Sequence, residues 1–321
     1  MRRSCLLICA IALFASMLAT KISLAAQASP VASDEKATRE PVFRVANRLP
    51  PDVESKTKIE MAELPGASTK PLVDPASPSI DPAIVRHALD PAIELANARL
   101  DAIRRDVKDY QAIMVKRERI GDQLKESEFA KIKVRNRRQT EAGAIPFSIY
   151  MRFLKPKAVR GREVIFVEGQ NNGKLLAHDN GLIKLTVPLD PTGWVAMQNS
   201  RYPIYDAGIE NLVVKLIEKA ERDKAAGQCE VEFNENAKIN DRPCTKIKVI
   251  HPEQKAPYDF HVAEVFIDNE LQVPVRYAAY TWPKVTGAEP ELLEEYTYLN
   301  LELNPGFTDK DFETKNPEYE F

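Results

Sequence analysis

The four histidines, His87, His178, His251 and His261, come first, because imidazole titrates near neutral pH and binds metals. His251 and His261 bracket Pro257-Tyr258-Asp259, and a hairpin there brings them together with Glu264 nearby, a grouping that could hold a metal or serve acid–base chemistry. The competing reading is two structural histidines at the ends of a turn. His178-Asp179 leads into Asn180-Gly181, and turn chemistry alone accounts for that run. Glu294 and Glu295 are adjacent on a strand and point to opposite faces, so they form no carboxylate pair. The chain carries no G-x-S-x-G, H-E-x-x-H, Walker loop, Rossmann glycine pattern or zinc-type cysteine set. The expectation is therefore no enzyme, no metal and no cofactor.

Of the four cysteines, Cys5 and Cys9 lie in an N-terminal apolar run, and Cys229 and Cys244 flank an apparent hairpin. In an oxidising compartment those two predict a disulfide, which would contribute about 3 kcal/mol by loop-closure entropy. Two free buried thiols are the alternative. A different surface is offered between Lys116 and Arg138, where nine basic residues stand against four acids. Strand alternation puts Lys131, Lys133, Arg135 and Arg137 on one face, a strip suited to anionic lipid head groups or another polyanion, or simply a solvated outer face paired with acidic strands such as the one holding Glu230 and Glu232.

These residues need a scaffold, and its centre is the stretch from Ile145 to Gly181. Phe147, Ile149, Met151 and Phe153 alternate with polar residues, which predicts a half-buried strand. Lys155-Pro156 ends it, and short turns rich in Asn and Gly connect the strands that follow into an antiparallel meander. Two helices flank the strands. Asp90-Pro91 starts one whose stripe is Ile93, Ala96, Leu100, Ile103 and Val107. Asp206 is the expected cap of the second, whose stripe is Ile209, Leu212, Val213, Leu216, Ile217 and Ala220 and whose stop is Gly227. Between strands and second helix runs a loop with Trp194, Tyr202 and Tyr205, large enough to cover or plug an apolar opening.

The ends of the chain bound the compartment. Arg2 and Arg3, an apolar run from Cys5 to Ala19 and small residues at Ala25, Ala26 and Ala28 make the pattern of a secretory signal peptide over residues 1–26. An uncleaved anchor is the alternative. Losing that segment removes three cations and no acid, taking the formal charge from -2 to -5, which argues against nucleic acid as a partner. Residues 27–80 hold eight prolines between 30 and 78 and no sustained apolar period, and read as a disordered tether. Residues 81–321 are left for one folded domain.

The order of elements, the strand end Phe153-Leu154-Lys155-Pro156 followed by Gly161, the pattern Ile267-Asp268 then Val273-Pro274-Val275, and Tyr296, Leu299, Leu301 and Phe307 resemble a family of uncharacterised secreted bacterial proteins. That family in turn resembles the LolA/LolB lipoprotein-carrier superfamily. The resemblance implies an α+β fold: a curved, unclosed antiparallel β-barrel of about eleven strands with helices in its concave face. It also implies a periplasmic or envelope carrier that holds a lipid or other apolar group. The expected lining is Phe147, Ile149, Met151, Phe153 and Trp194 on one side and Leu212, Val213, Leu216 and Ile217 on the other. An envelope structural or assembly protein with no ligand cavity, recruiting a protein partner or touching the membrane peripherally, is the alternative.

Overall fold

Among the described residues the chain forms fourteen strands. These are β1 (Asp109–Ile120), β2 (Gln123–Leu124), β3 (Glu128–Arg135), β4 (Arg138–Thr140), β5 (Gly143–Ile145), β6 (Ser148–Lys155) and β7 (Glu163–Val167). Then come β8 (Leu175–Asp179), β9 (Leu185–Leu189), β10 (Glu230–Ile239), β11 (Arg242–Ile250), β12 (Val262–Asp268), β13 (Pro274–Tyr280) and β14 (Leu292–Leu303). The α-helices among the described residues are α1 (Asp90–Asp106), ahead of the strands, and the one-turn α2 (Trp194–Met197) and α3 (Ile209–Ala226) between β9 and β10. A computed structural model of the chain describes residues 86–181, 184–285 and 287–321. The signal peptide and tether expected over residues 1–80 lie outside the described residues.

Twelve strands form one sheet in the order β10-β11-β12-β13-β14-β1-β3-β6-β7-β8-β9, with β2 attached to β1, and β4 and β5 make a separate hairpin. Neighbours pair antiparallel, and the path ends at β10 on one side and β9 on the other, so the barrel is open. That is the expected unclosed architecture, with one more strand than expected and a small hairpin, β4–β5, too short to show a period. Pro274 is accommodated at an irregularity in the β12–β13 ladder, where the ladder does not need its missing N–H.

Register sorts the side chains into two faces. Val134 of β3 lies between Tyr110 of β1 and Ile149 of β6, and Ile132 between Ala112 and Met151. Val164 and Phe166 of β7 continue the same inner face. Leu100 and Ile103 from α1, Val107 just after it, and Ile209 and Val213 from α3 bury against it to make the main core.

The second helix does not begin as its sequence suggests. Asp206 lies two residues too early, and the N-cap is Gly208, at φ +107°. The Ile209 N–H donates to the buried Tyr110 hydroxyl at 2.9 Å, and the backbone of Gly208 hydrogen-bonds the Tyr298 hydroxyl. A Cβ at position 208 would stand 2.9 Å from that Tyr110 oxygen, so both the dihedral and the space require glycine. In α1 likewise the N-cap is Leu89, while the Asp90 carboxylate accepts from the His87 N–H at 2.9 Å.

The disulfide between Cys229 and Cys244 is not formed. Both thiols are free and buried, Cys229 among Leu89, Ile93 and Val231 and Cys244 in the main core. The reason is register: Cys244 opposes Ala237, while Glu230, next to Cys229, opposes Ile250 six residues further along β11. At about 3.3 Å per residue the two thiols sit on the order of 20 Å apart, far beyond bonding reach. Burial pushes the Cys229 thiol up to about 11 and raises that of Cys244.

Two outcomes follow. Tyr110→Phe removes the acceptor that starts α3 and is expected to cost about 1–2 kcal/mol in urea unfolding, with Gly208→Ala costing at least as much. The protein is expected to migrate identically with and without reductant, and its two core thiols to react with a thiol reagent only after denaturation.

Candidate functional site

A cavity of about 570 Å³ opens between α3 and the β13–β14 part of the inner face. Its helical wall is Lys215, Glu218, Lys219 and Arg222, spaced i, i+3, i+4 and i+7. That spacing places them on one stripe, which the sequence alone assigns to solvent. The opposite wall is apolar, with Phe260 from the β11–β12 connection, Tyr277 and Ala279 from β13 and Leu293 from β14. Arg201, Tyr202 and Asp206 from the loop ahead of α3 close one side, and Asp259 and Glu294 supply further carboxylates.

Glu294 is 1% exposed. Its oxygens accept from Arg201 Nε at 2.6 Å, the Tyr202 hydroxyl at 3.0 Å and the Tyr277 hydroxyl at 3.1 Å. Glu118 is also buried, and it takes bonds from the Tyr296 hydroxyl and from the Arg201 N–H at 3.2 Å, with Lys116 at 3.4 Å. Lys116 in turn meets Glu128 at 3.1 Å; burial would lower its pKa, but the two carboxylates outweigh burial and raise it. Every carboxylate lone pair used here is directed at a fixed donor, so the loop carrying Arg201 and Tyr202 is tied to the sheet. Burial and the neighbouring carboxylate push the Tyr202 and Tyr277 hydroxyls above their ordinary range.

On the rim, Asp259 accepts from two cations, Lys219 at 3.2 Å and Arg222 at 3.1 Å. Burial would raise its pKa, but those two charges prevail and hold it below the usual carboxylate range. Arg222 also bonds Asp223 at 2.9 Å, and Asp223 lies 3.5 Å from His251 Nε2. That separation is a contact rather than a hydrogen bond, since His251 Nε2 has no bonding partner. His251 stacks on Tyr258 at 4.0 Å, and His261 Nδ1 lies 2.8 Å from the His251 carbonyl. The two histidines therefore do meet, through backbone rather than through a shared ion, and among the described residues no group of three or more His, Cys, Asp or Glu is placed to hold a metal.

The other residues singled out by sequence fall as follows. Phe147, Ile149, Met151 and Phe153 share the inner face with Val213 and Ile217 and pack with them into the main core. Leu212 and Leu216 instead pack on Phe260, Tyr277 and Ala279, three of the cavity-lining residues. Trp194 is not among the residues around that cavity and stands 69% exposed on the one-turn α2.

The basic strip is covered at Lys133 and Arg135 and exposed at Lys131 and Arg137. Lys133 pairs with Asp311 and Glu318, each at 3.3 Å, and sits over the rings of Phe307 and Tyr319. Arg135 bonds Asp309 at 2.7 Å and lies over Phe312, and Arg137 pairs with Glu168 at 3.1 Å. Lys131 remains exposed. The counter-charges of Lys133 and Arg135 come from the C-terminal segment and that of Arg137 from Glu168, not from the strand of Glu230 and Glu232, which is at the far edge of the sheet.

A family model described as "Protein of unknown function (DUF1571)" matches residues 107–321. No curated protein matches the chain. Among solved structures, a DUF1329 family protein from Desulfovibrio piger is similar at 12% identity and TM-score 0.36, covering 71% of this chain and 98% of its own. A LolA superfamily protein from Nitrosomonas europaea is similar at 10% identity and TM-score 0.29, covering 69% and 97%. The Mycobacterium tuberculosis lipoprotein LppX is similar at 14% identity and TM-score 0.37, covering 68% and 98%.

His251 gives the site a pH signature. It is 0% exposed, and burial, countered in part by Asp223, holds its pKa below 6.5. The unfolded chain binds this proton more readily than the folded one, so stability is present above 6.5 and is lost as pH falls from 6.5 toward the folded pKa. The lowered carboxylates Asp259, Asp268 and Asp311 lose their contribution only below 3.8. The urea midpoint is expected to fall between about pH 7.5 and about pH 5, and His251→Asn to flatten that slope.

Proposed function

We propose a function for a chain that belongs to the DUF1571 family: it is an exported, non-enzymatic binding protein that holds a small amphiphilic molecule between α3 and the inner face of the sheet. The observation that carries this reading is the cavity itself. Its 570 Å³ falls within the range of about 300–1,000 Å³ usual for small-molecule sites. One wall, Phe260, Tyr277, Ala279 and Leu293, suits an apolar group, and the facing wall of α3 suits a polar one. An extended acyl chain laid along Phe147, Ile149, Met151 and Phe153 is not part of the proposal, since helix side chains occupy that space.

Binding rather than catalysis is supported by how the buried groups are spent. Glu294 is saturated by one arginine and two tyrosines, which leaves no free base beside the cavity at that point. Export is supported by the signal pattern of residues 1–26. Among the described residues no helix is long and apolar enough to cross a membrane.

The experiment is native mass spectrometry of protein purified from its own envelope, with titration of the neutral fluorophore N-phenyl-naphthylamine. A co-purifying amphiphile, or saturable fluorescence that the amphiphile displaces, is expected. Empty protein together with no fluorophore binding would overturn the proposal in favour of an envelope structural protein.

A further inference from the structure

The cavity lining carries four cations, Arg201, Lys215, Lys219 and Arg222, and four carboxylates, Asp206, Glu218, Asp259 and Glu294, and their pairings differ in strength. Arg201 is committed to the buried Glu294 at 2.6 Å. Lys215 has only Glu218, 3.7 Å away on the same helix, with both side chains about half exposed, a pairing of little strength. Lys219 and Arg222 both meet the Asp259 carboxylate, which is 41% exposed, and Arg222 is held as well by the buried Asp223 at 2.9 Å. Asp259 does not belong to the helix. It arrives on the connection between β11 and β12, and the next residue, Phe260, lines the apolar wall.

We infer that the cavity takes an amphiphile whose polar end is an anion, a carboxylate or phosphate monoester, and that Asp259 is the protein's own stand-in for that anion. This rests on the binding role proposed above and names the class of ligand. An incoming anion bonds Lys219 and Arg222 in place of the Asp259 carboxylate, with Lys215 one turn away as a third cation. Its apolar part then meets Phe260, Tyr277, Ala279 and Leu293. The low pKa of Asp259 fits the same arrangement, since those two cations outweigh its burial. Because the stand-in is partly exposed and carried by a connection rather than by a strand, displacing it leaves the sheet ladder intact. Recognition by a cationic helix stripe is a charge-assisted contact, and it weakens as salt screens it.

The test is isothermal titration calorimetry of full-length protein with n-octyl phosphate, n-octyl glucoside and inorganic phosphate, all below micellar concentrations. Octyl phosphate is expected to bind, Asp259→Asn to tighten it about 3- to 10-fold by removing the competitor, and Lys219→Gln to weaken it by a similar factor. The exposed Lys215→Gln is expected to weaken it about twofold, and provides a variant with no burial to disturb. Octyl glucoside is expected to bind more weakly and to ignore Lys219→Gln. Equal binding of the two amphiphiles, or octyl phosphate binding unaffected by all three substitutions, overturns the anion inference and leaves the binding role standing. Inorganic phosphate binding as tightly as octyl phosphate also overturns it, making the site one for a simple anion. If neither amphiphile binds, the binding role itself fails.

Discussion

The position of α3 depends on two hydroxyl groups. Tyr110 and Tyr298 are on neighbouring strands, β1 and β14, with rings edge to face at 6.3 Å, and their oxygens hold the backbone of Ile209 and Gly208. A helix start offers N–H groups with no partner of their own, and burying them costs free energy unless an acceptor is supplied. Here the sheet supplies the acceptors, so the first turn of α3 is anchored to the inner face where it is driest. Glycine at 208 is what lets the chain come that close. From that anchor the helix runs toward β13, which puts its polar stripe over the cavity.

The inner face changes character along its strands, and this sets where a cavity survives. On β1, Tyr110, Ala112 and Met114 give way to Lys116 and Glu118; on β14, Tyr298 gives way to Tyr296 and Glu294. The register pairs Met114 with Tyr298, then Lys116 with Tyr296, then Glu118 with Glu294. At the apolar end, helix side chains pack directly against the strands in the main core. At the other end two buried carboxylates face each other across the ladder, an unfavourable placement unless cations and donors surround them. Lys116, Arg201 and four tyrosine or backbone donors do so, and the room those groups need keeps α3 from closing on the sheet.

The outer face is organised by the same pairing of unlike charges, with a different consequence. Tyr150, Ile165 and Val167 point outward beside Lys133, Arg135 and Arg152, a surface both apolar and basic. The C-terminal segment answers each part. Tyr319 stacks on Tyr150 at 3.8 Å, Phe312 joins the small core beneath it, and Asp309, Asp311, Glu318 and Glu320 meet the cations. Two residues of the strip, Lys133 and Arg135, are thereby part of an intramolecular seam.

The sequence by itself determined the local features. Alternation from Phe147 to Phe153 specified a strand and its buried face, the stripe from Ile209 to Ile217 specified a helix that must cover a sheet, and Gly227 specified its end. Those signals are periodic, and period is a property of neighbours in the chain. Which side of α3 would bound a cavity, and which charges Lys133 and Arg135 would meet, were decided only by the tertiary structure. The same is true of the cysteines: a short loop permits a disulfide, but ladder register puts Cys229 and Cys244 at opposite ends of their hairpin. Asp259 reaches Lys219 across about forty residues of intervening chain, and Lys133 reaches Asp311 across far more. Contacts of that separation leave no repeat in the sequence, because they are fixed by strand order and register rather than by spacing.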